Sequence, residues 1–140
     1  MKLQVGVKIF LKNKNGNFLT IRRSPKKYKG TSGTWDIVGG RIDVGFKLID
    51  NLKREVREET QLEIISDPIL VYAQDIIPNE DLHVVRLFYV GKTQGEPILD
   101  MKENVEYEWL TLDEMKVKED LDIYVKEILE KNLIKEVISE

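Results

Sequence analysis

The chain has 140 residues, 41% hydrophobic and 34% charged, with a formal net charge of -3. That length is enough for one ordinary domain with a real core, and the composition excludes a disordered chain. The weak acidity excludes a basic field for a nucleic-acid polymer, and the absence of cysteine excludes disulfides, thiolate zinc sites and a Cys nucleophile.

A single histidine, His83, rules out a His-rich metal site. Any metal must therefore be held by oxygens, which favours Mg2+, with Mn2+ as the alternative. A small nucleotide remains compatible with the acidity, because a divalent cation supplies positive charge locally. No apolar run approaches the roughly 20 residues that span a bilayer. Met1 to Val7 lacks the apolar region and cleavage site of a signal peptide. Together these features predict a cytoplasmic protein with no membrane partner, either monomer or homodimer.

In chain order, Val5, Val7, Ile9 and Leu11 alternate with Gly6, Lys8 and Phe10 as a strand does. Asn15-Gly16 predicts a hairpin turn, with Phe18 to Ile21 as the returning strand. Ser24 to Gly33 reads as a polar, lysine-rich loop. A short apolar piece, Trp35 to Val38, follows, then Gly39-Gly40 and an extended Arg41-Ile42-Asp43. Lys47 to Thr60 carries a helical period, with Ile49, Leu52 and Val56 on one face. Ile69 to Ile76 and His83 to Val90 are strand-like runs separated by Pro78-Asn79-Glu80-Asp81. Glu106 to Leu110 predicts a last strand. Asp120 is placed to cap a final helix with Leu121, Val125, Ile128, Leu129 and Leu133 inward. With no repeat or linker, residues 1–140 read as a single domain. Its expected class is α/β (α+β), a mixed sheet sandwiched between helices.

Arg54-Glu55-Val56-Arg57-Glu58-Glu59 is the most informative segment. At about 100° per residue, Glu55, Glu58 and Glu59 share one arc, next to the apolar arc of Ile49, Leu52 and Val56. Three like charges so close repel, and a hard dication bound by carboxylate oxygens relieves that repulsion. In most proteins a Glu-rich helix flanked by Arg and Lys is only a solvated face. The Gly39-Gly40 step upstream favours the functional reading. Glycine lets backbone approach a ligand closely, and a carbonyl there can join the carboxylates on a metal.

The stretch from Gly33 to Leu62 resembles the Nudix hydrolases. Their box reads glycine, five residues, glutamate, seven residues, Arg-Glu, an apolar residue, any residue, Glu-Glu, any residue, glycine and an apolar residue. Gly40 opens it here, Arg54-Glu55 and Val56 follow at the family spacing, then Glu58-Glu59, and Leu62 closes it. Glu106-Tyr107-Glu108-Trp109-Leu110 is similar to the family's late strand. The chain departs from the pattern twice: Phe46 stands where the first glutamate is expected and Gln61 where the second glycine is. Gln61 would have to adopt the left-handed helix end at a cost of roughly 1 kcal/mol. Phe46 removes a carboxylate, for which Asp43 and Asp50 are the nearest substitutes. Val38, where many relatives carry proline, affects loop stiffness more than chemistry.

The resemblance implies Mg2+-assisted attack of water on a phosphorus of a nucleoside diphosphate linked to another group. It implies Glu58 and Glu59 as principal metal ligands, Glu55 as ligand or general base, and the Gly39 carbonyl completing the set. Arg54 would orient the glutamates. Arg23, Trp35 and Gly40 are the expected substrate contacts, although Trp35 also suits a buried core position and Arg22-Arg23 a solvated strand end. Lys26-Lys27-Tyr28-Lys29 is either a steering patch or a solvated loop. His83 reads as structural, and Pro78 carries little weight. Two other readings stay open at this point: a catalytically weak nucleotide-binding module, motivated by Phe46, and an acidic helical interaction protein.

Overall fold

The computed structural model describes residues 1–27 and 34–134. Its elements are β1 (Lys2–Lys12), β2 (Phe18–Arg23), β3 (Trp35–Asp36), β4 (Val38–Arg41), α1 (Leu48–Thr60), β5 (Ile69–Asn79), β6 (Leu82–Lys92), β7 (Asn104–Leu110), α2 (Leu112–Lys116) and α3 (Ile123–Glu130). The seven strands among the described residues form a mixed sheet. Its main path runs β3-β2-β1-β6-β5, with β4 paired to β1 and β7 to β2. β1 and β6 run parallel over their whole length, and every other pairing is antiparallel.

β1 is the spine, because both rows of its side chains are covered. Val7, Ile9 and Leu11 face α1 and join Leu52 and Val56 in one core cluster. Phe10 points the other way, into a second cluster with Phe18, Phe88, Met115, Val125, Ile128 and Leu129, which α2 and α3 close. Phe10 meets Phe18 edge-on at 6.4 Å and 86°. Leu52 and Val56 are wholly buried, and each such side chain contributes about 1.5–3 kcal/mol. The expected sandwich of helices about a mixed sheet is what forms.

β1 and β2 leave the hairpin paired only at Lys12 and Phe18. The turn between them is held by the Asn13 side chain, whose Oδ1 accepts from the Asn15 and Asn17 N–H groups, both at 3.0 Å. Beyond the hairpin the strands part. β4 takes the edge of β1 from Gly6 to Ile9, while β2 pairs with β7. The site sits where they part.

Several boundaries differ from expectation. β5 continues through Pro78 to Asn79, into the first half of the predicted turn. β5 lies at the sheet's edge and its register breaks between Ile76 and Asn79, so the missing proline N–H costs no ladder bond. The cap of α3 is Asp122, not Asp120; its carboxylate accepts from the Tyr124 and Val125 N–H groups at 3.2 and 3.1 Å. Asp120 sits in a left-handed turn and accepts from the Thr34 hydroxyl at 2.5 Å. Ile134, not Leu133, fills the buried position after α3. The short α2 was not expected, though its signal is present: Thr111 and Glu114 form a reciprocal capping box. Gln61 does end α1 in the left-handed conformation, φ 59°, with its N–H bonded to the Arg57 carbonyl at 2.9 Å. Among the described residues no helix is long and apolar enough to cross a membrane.

Candidate active site

β4 passes so close to its neighbours that side chains are excluded from its centre. A Cβ on Gly39 would lie 2.1 Å from the Val7 carbonyl oxygen and 2.7 Å from Lys8 Cα. On Gly40 it would lie 2.8 Å from the Glu55 carboxyl carbon. Two bare residues thus let α1 press its acidic edge onto backbone. Glu59 accepts from the Gly39 N–H at 3.3 Å and from the Asn104 amide at 3.4 Å. The Glu55 side chain is only 18% exposed, whereas that of Glu58 is 58% exposed and stands at the rim.

The electrostatics follow from this placement. Burial pushes the Glu59 carboxyl up to about 7; the Lys8 ammonium opposes the rise and the Glu55 carboxylate adds to it. Burial also raises Glu55, with Arg54 opposing and Glu58 and Asp43 adding. Glu55 and Glu59 are thus brought together against Gly39-Gly40. Among the described residues, no three acidic or histidine groups already lie close enough to hold a metal ion. The donors nonetheless suit a hard cation: they are all oxygen, and the bare Gly40 leaves room for the Glu55 carboxylate against the β4 backbone.

Arg54 ties the acidic edge to the preceding loop. Its guanidinium donates to Asp43 at 2.7 Å and to Asn51 Oδ1 at 2.9 Å. It lies 3.6 Å from Glu55 and 3.5 Å from Glu58. Asp43, not Asp50, is its acidic partner on the loop. The fully buried Asn51 also accepts from the Asp43 N–H and donates to the Arg41 carbonyl, stitching loop to helix.

Beside the glutamates opens a cavity of about 250 Å³. Gly39, Gly40, Glu59 and Asn104 line its acidic end, and Lys8, Arg23, Asp36 and Arg86 its floor. Lys8 and Arg23 both bond the Asp36 carboxylate. Arg23 and Arg86 approach Asp122 at 3.5 and 3.7 Å. Burial alone would raise Asp36, but the Lys8 and Arg23 cations outweigh it and hold that carboxyl below its usual range. Burial lowers the Lys8 ammonium, and the Asp36 charge only partly offsets this.

Arg23 and Gly40, predicted as substrate contacts, do line the cavity. Trp35 does not. It is 8% exposed within the core cluster beneath α3, with the Lys118 ammonium 4.0 Å above its ring, so neither face is open to a base. Arg22 points to the opposite side of β2 and pairs with Glu106 at 2.6 Å. His83 pairs with Asp75 at 2.7 Å, as a structural residue would. Lys27 bonds Glu103, whereas Tyr28 and Lys29 of the predicted lysine cluster lie outside the described residues. Lys8, Asp36, Arg86, Asp122 and Asn104 were not anticipated. The available signal was charge in apolar company: Lys8 between Val7 and Ile9, and Asp36 between Trp35 and Ile37.

The family model of the NUDIX domain matches residues 2–131. No curated protein is similar enough in sequence to count as a match. Among solved structures, the MutT protein from Methanosarcina mazei Go1 superposes with a TM-score of 0.78 at 24% identity, covering 92% of this chain and 91% of that one. A MutT NUDIX hydrolase from Burkholderia pseudomallei gives 0.78 at 23% identity, with 93% and 98% covered. A UDP-X diphosphatase gives 0.72 at 14% identity, with 96% and 64% covered. At these identities the structural likenesses establish the fold. The match along nearly the whole chain, with α1 laying Glu55 and Glu59 onto the glycines of β4, establishes the kinship: the chain belongs to the Nudix family of hydrolases.

Proposed function

We propose that this Nudix enzyme is a Mg2+-dependent pyrophosphohydrolase that cleaves a nucleoside diphosphate linked to another group. The observation that carries this reading is the pressing of Glu55 and Glu59 onto Gly39-Gly40, beside a cavity that Glu59 lines together with Lys8, Arg23 and Arg86. Glu58 and Glu59, with the Gly39 carbonyl, would hold the cation, and Glu55 would serve as a further ligand or as the base. When bound, the cation supplies charge neutralisation at the phosphate oxygens and a lowered pKa for the attacking water. The chain's own part is positional. Arg54 keeps Glu55 and Glu58 on the helix edge. Arg23 and Gly40, lining the cavity, would receive the substrate beyond its scissile bond. The UDP-X diphosphatase among the structural neighbours, a protein named for cleaving a nucleoside diphosphate linked to another group, is in keeping with this substrate class.

The test is a hydrolysis screen of nucleoside triphosphates and nucleotide sugars with Mg2+ or Mn2+, products identified by mass. A nucleoside monophosphate released only with metal is the expected result. A folded protein that releases no product from any member of the panel refutes the reading.

A further inference from the structure

Phe46 is a large apolar side chain, 46% exposed, in the loop that leads into α1. Its place in the loop is defined by a turn in which its N–H donates to the Asp43 carbonyl at 3.1 Å. The turn delivers both Asp43 and Phe46 to one guanidinium. Asp43 takes an edge of Arg54, at 2.7 Å. The Phe46 ring lies under the guanidinium, with Arg54 Cζ 4.7 Å from the ring centroid. That is well inside the roughly 6 Å over which a ring's negative face attracts a cation. The edges of Arg54 reach Asn51, Glu55 and Glu58, and its buried Nε finds no acceptor among the described residues.

The position needs a partner for Arg54, and a ring supplies one without charge. A carboxylate at 46 would add a further negative charge beside Asp43, Glu55 and Glu58, the acidic groups that already surround Arg54. A phenyl ring attracts the cation through its quadrupole and leaves the count of negative charges unchanged. It also covers part of a guanidinium whose side chain is 29% exposed, which limits the rotamers that lead into solvent.

We propose that Phe46 is a positioning residue, a neutral aromatic platform that clamps Arg54 so that its edges hold Glu55 and Glu58 in place for the cation. This rests on the metal-dependent function proposed above. The prediction concerns cation affinity more than the chemical step. With Phe46→Leu, the Mn2+ dissociation constant of the substrate-free protein should rise about two- to fivefold, the range expected for loss of one partly exposed cation–π contact. Activity at saturating metal should be little changed. Phe46→Tyr should restore wild-type affinity. In an Arg54→Gln background, Phe46→Leu should have no further effect. The Arg54 Nε proton resonance should carry a ring-current shift that is present in wild type and the Tyr variant and lost with Leu.

Binding of Mn2+ by Phe46→Leu as tightly as by wild type would overturn the inference, as would a Tyr variant as weak as the Leu variant. Wild-type protein that neither binds Mn2+ nor turns over nucleotide refutes the proposed function and the positioning role with it. Normal binding and turnover, with Phe46→Leu indistinguishable from wild type, refutes the positioning role alone.

Discussion

The two ends of the cavity hold charge in opposite ways. At and beneath the floor, Asp36 sits between Lys8 and Arg23, and Asp122 between Arg23 and Arg86, so each carboxylate is matched by two cations. At the acidic end, Glu55, Glu58 and Glu59 share one helix edge, with Arg54 beside Glu55 and Glu58, Lys8 acting on Glu59, and two of the carboxyls raised by burial. Matched buried charges behave as part of the framework: removing one member leaves the rest uncompensated. Gathered like charges weaken the fold at neutral pH and are explained by what they bind. The contrast separates residues that hold the cavity from those proposed to act beside it, with Lys8, Asp36, Arg23, Arg86 and Glu59 lining the same space.

The sharpest way to break this contrast is at the acidic end. Glu58→Gln and Glu59→Gln are each expected to lower kcat/KM by about two to four orders of magnitude while leaving the melting temperature equal or higher, since each removes a repelling charge. Loss of activity accompanied by unfolding would place the glutamates in the framework instead. At the other end, Asp36→Ala strands two cations in a buried site, and unfolding in urea should show a loss of about 3–5 kcal/mol. A change below 1 kcal/mol would mean that Lys8 and Arg23 find water, and the floor is less closed than its geometry indicates.

The smallest expected effect, and the one that reads both ends together, is on pH. Glu59 has a folded pKa of about 7, above the ordinary carboxylate value, so its contribution to stability is full below about 4.5 and is lost as pH rises through 7. Asp36 has a depressed folded pKa, so its contribution is present above its ordinary value of 3.8 and is lost as pH falls through the lower folded value. Metal-free protein should therefore melt at a lower temperature at pH 8 than at pH 5.5, and also lose stability in strong acid. Glu59→Gln should flatten the upper limb and leave the acid limb in place. An unchanged upper limb in that variant would assign the slope to another group.

What can be read from local pattern is read correctly where contacts are local. The Asn15-Gly16 turn, the alternation in β1, the span of α1, the left-handed Gln61 and the arc shared by three glutamates all follow from neighbours within about four residues. The glycines of β4 were recognisable as a close approach, but what approaches them was not. Lys8 and Asp36 illustrate the limit: each is visible as a charge in apolar company, yet their pairing needs two strands aligned across 28 positions.

Residue order alone therefore determined the family, the element types and the acidic edge of α1, because spacing along a strand or helix sets which side chains share a face. Tertiary structure alone decided the parallel β1–β6 pairing, the burial of Trp35, the meeting of Asn104 with Glu59 and the seat of Arg54 on Phe46. These contacts depend on how sheet and helices pack, where burial strengthens or penalises each charge according to partners distant in the chain.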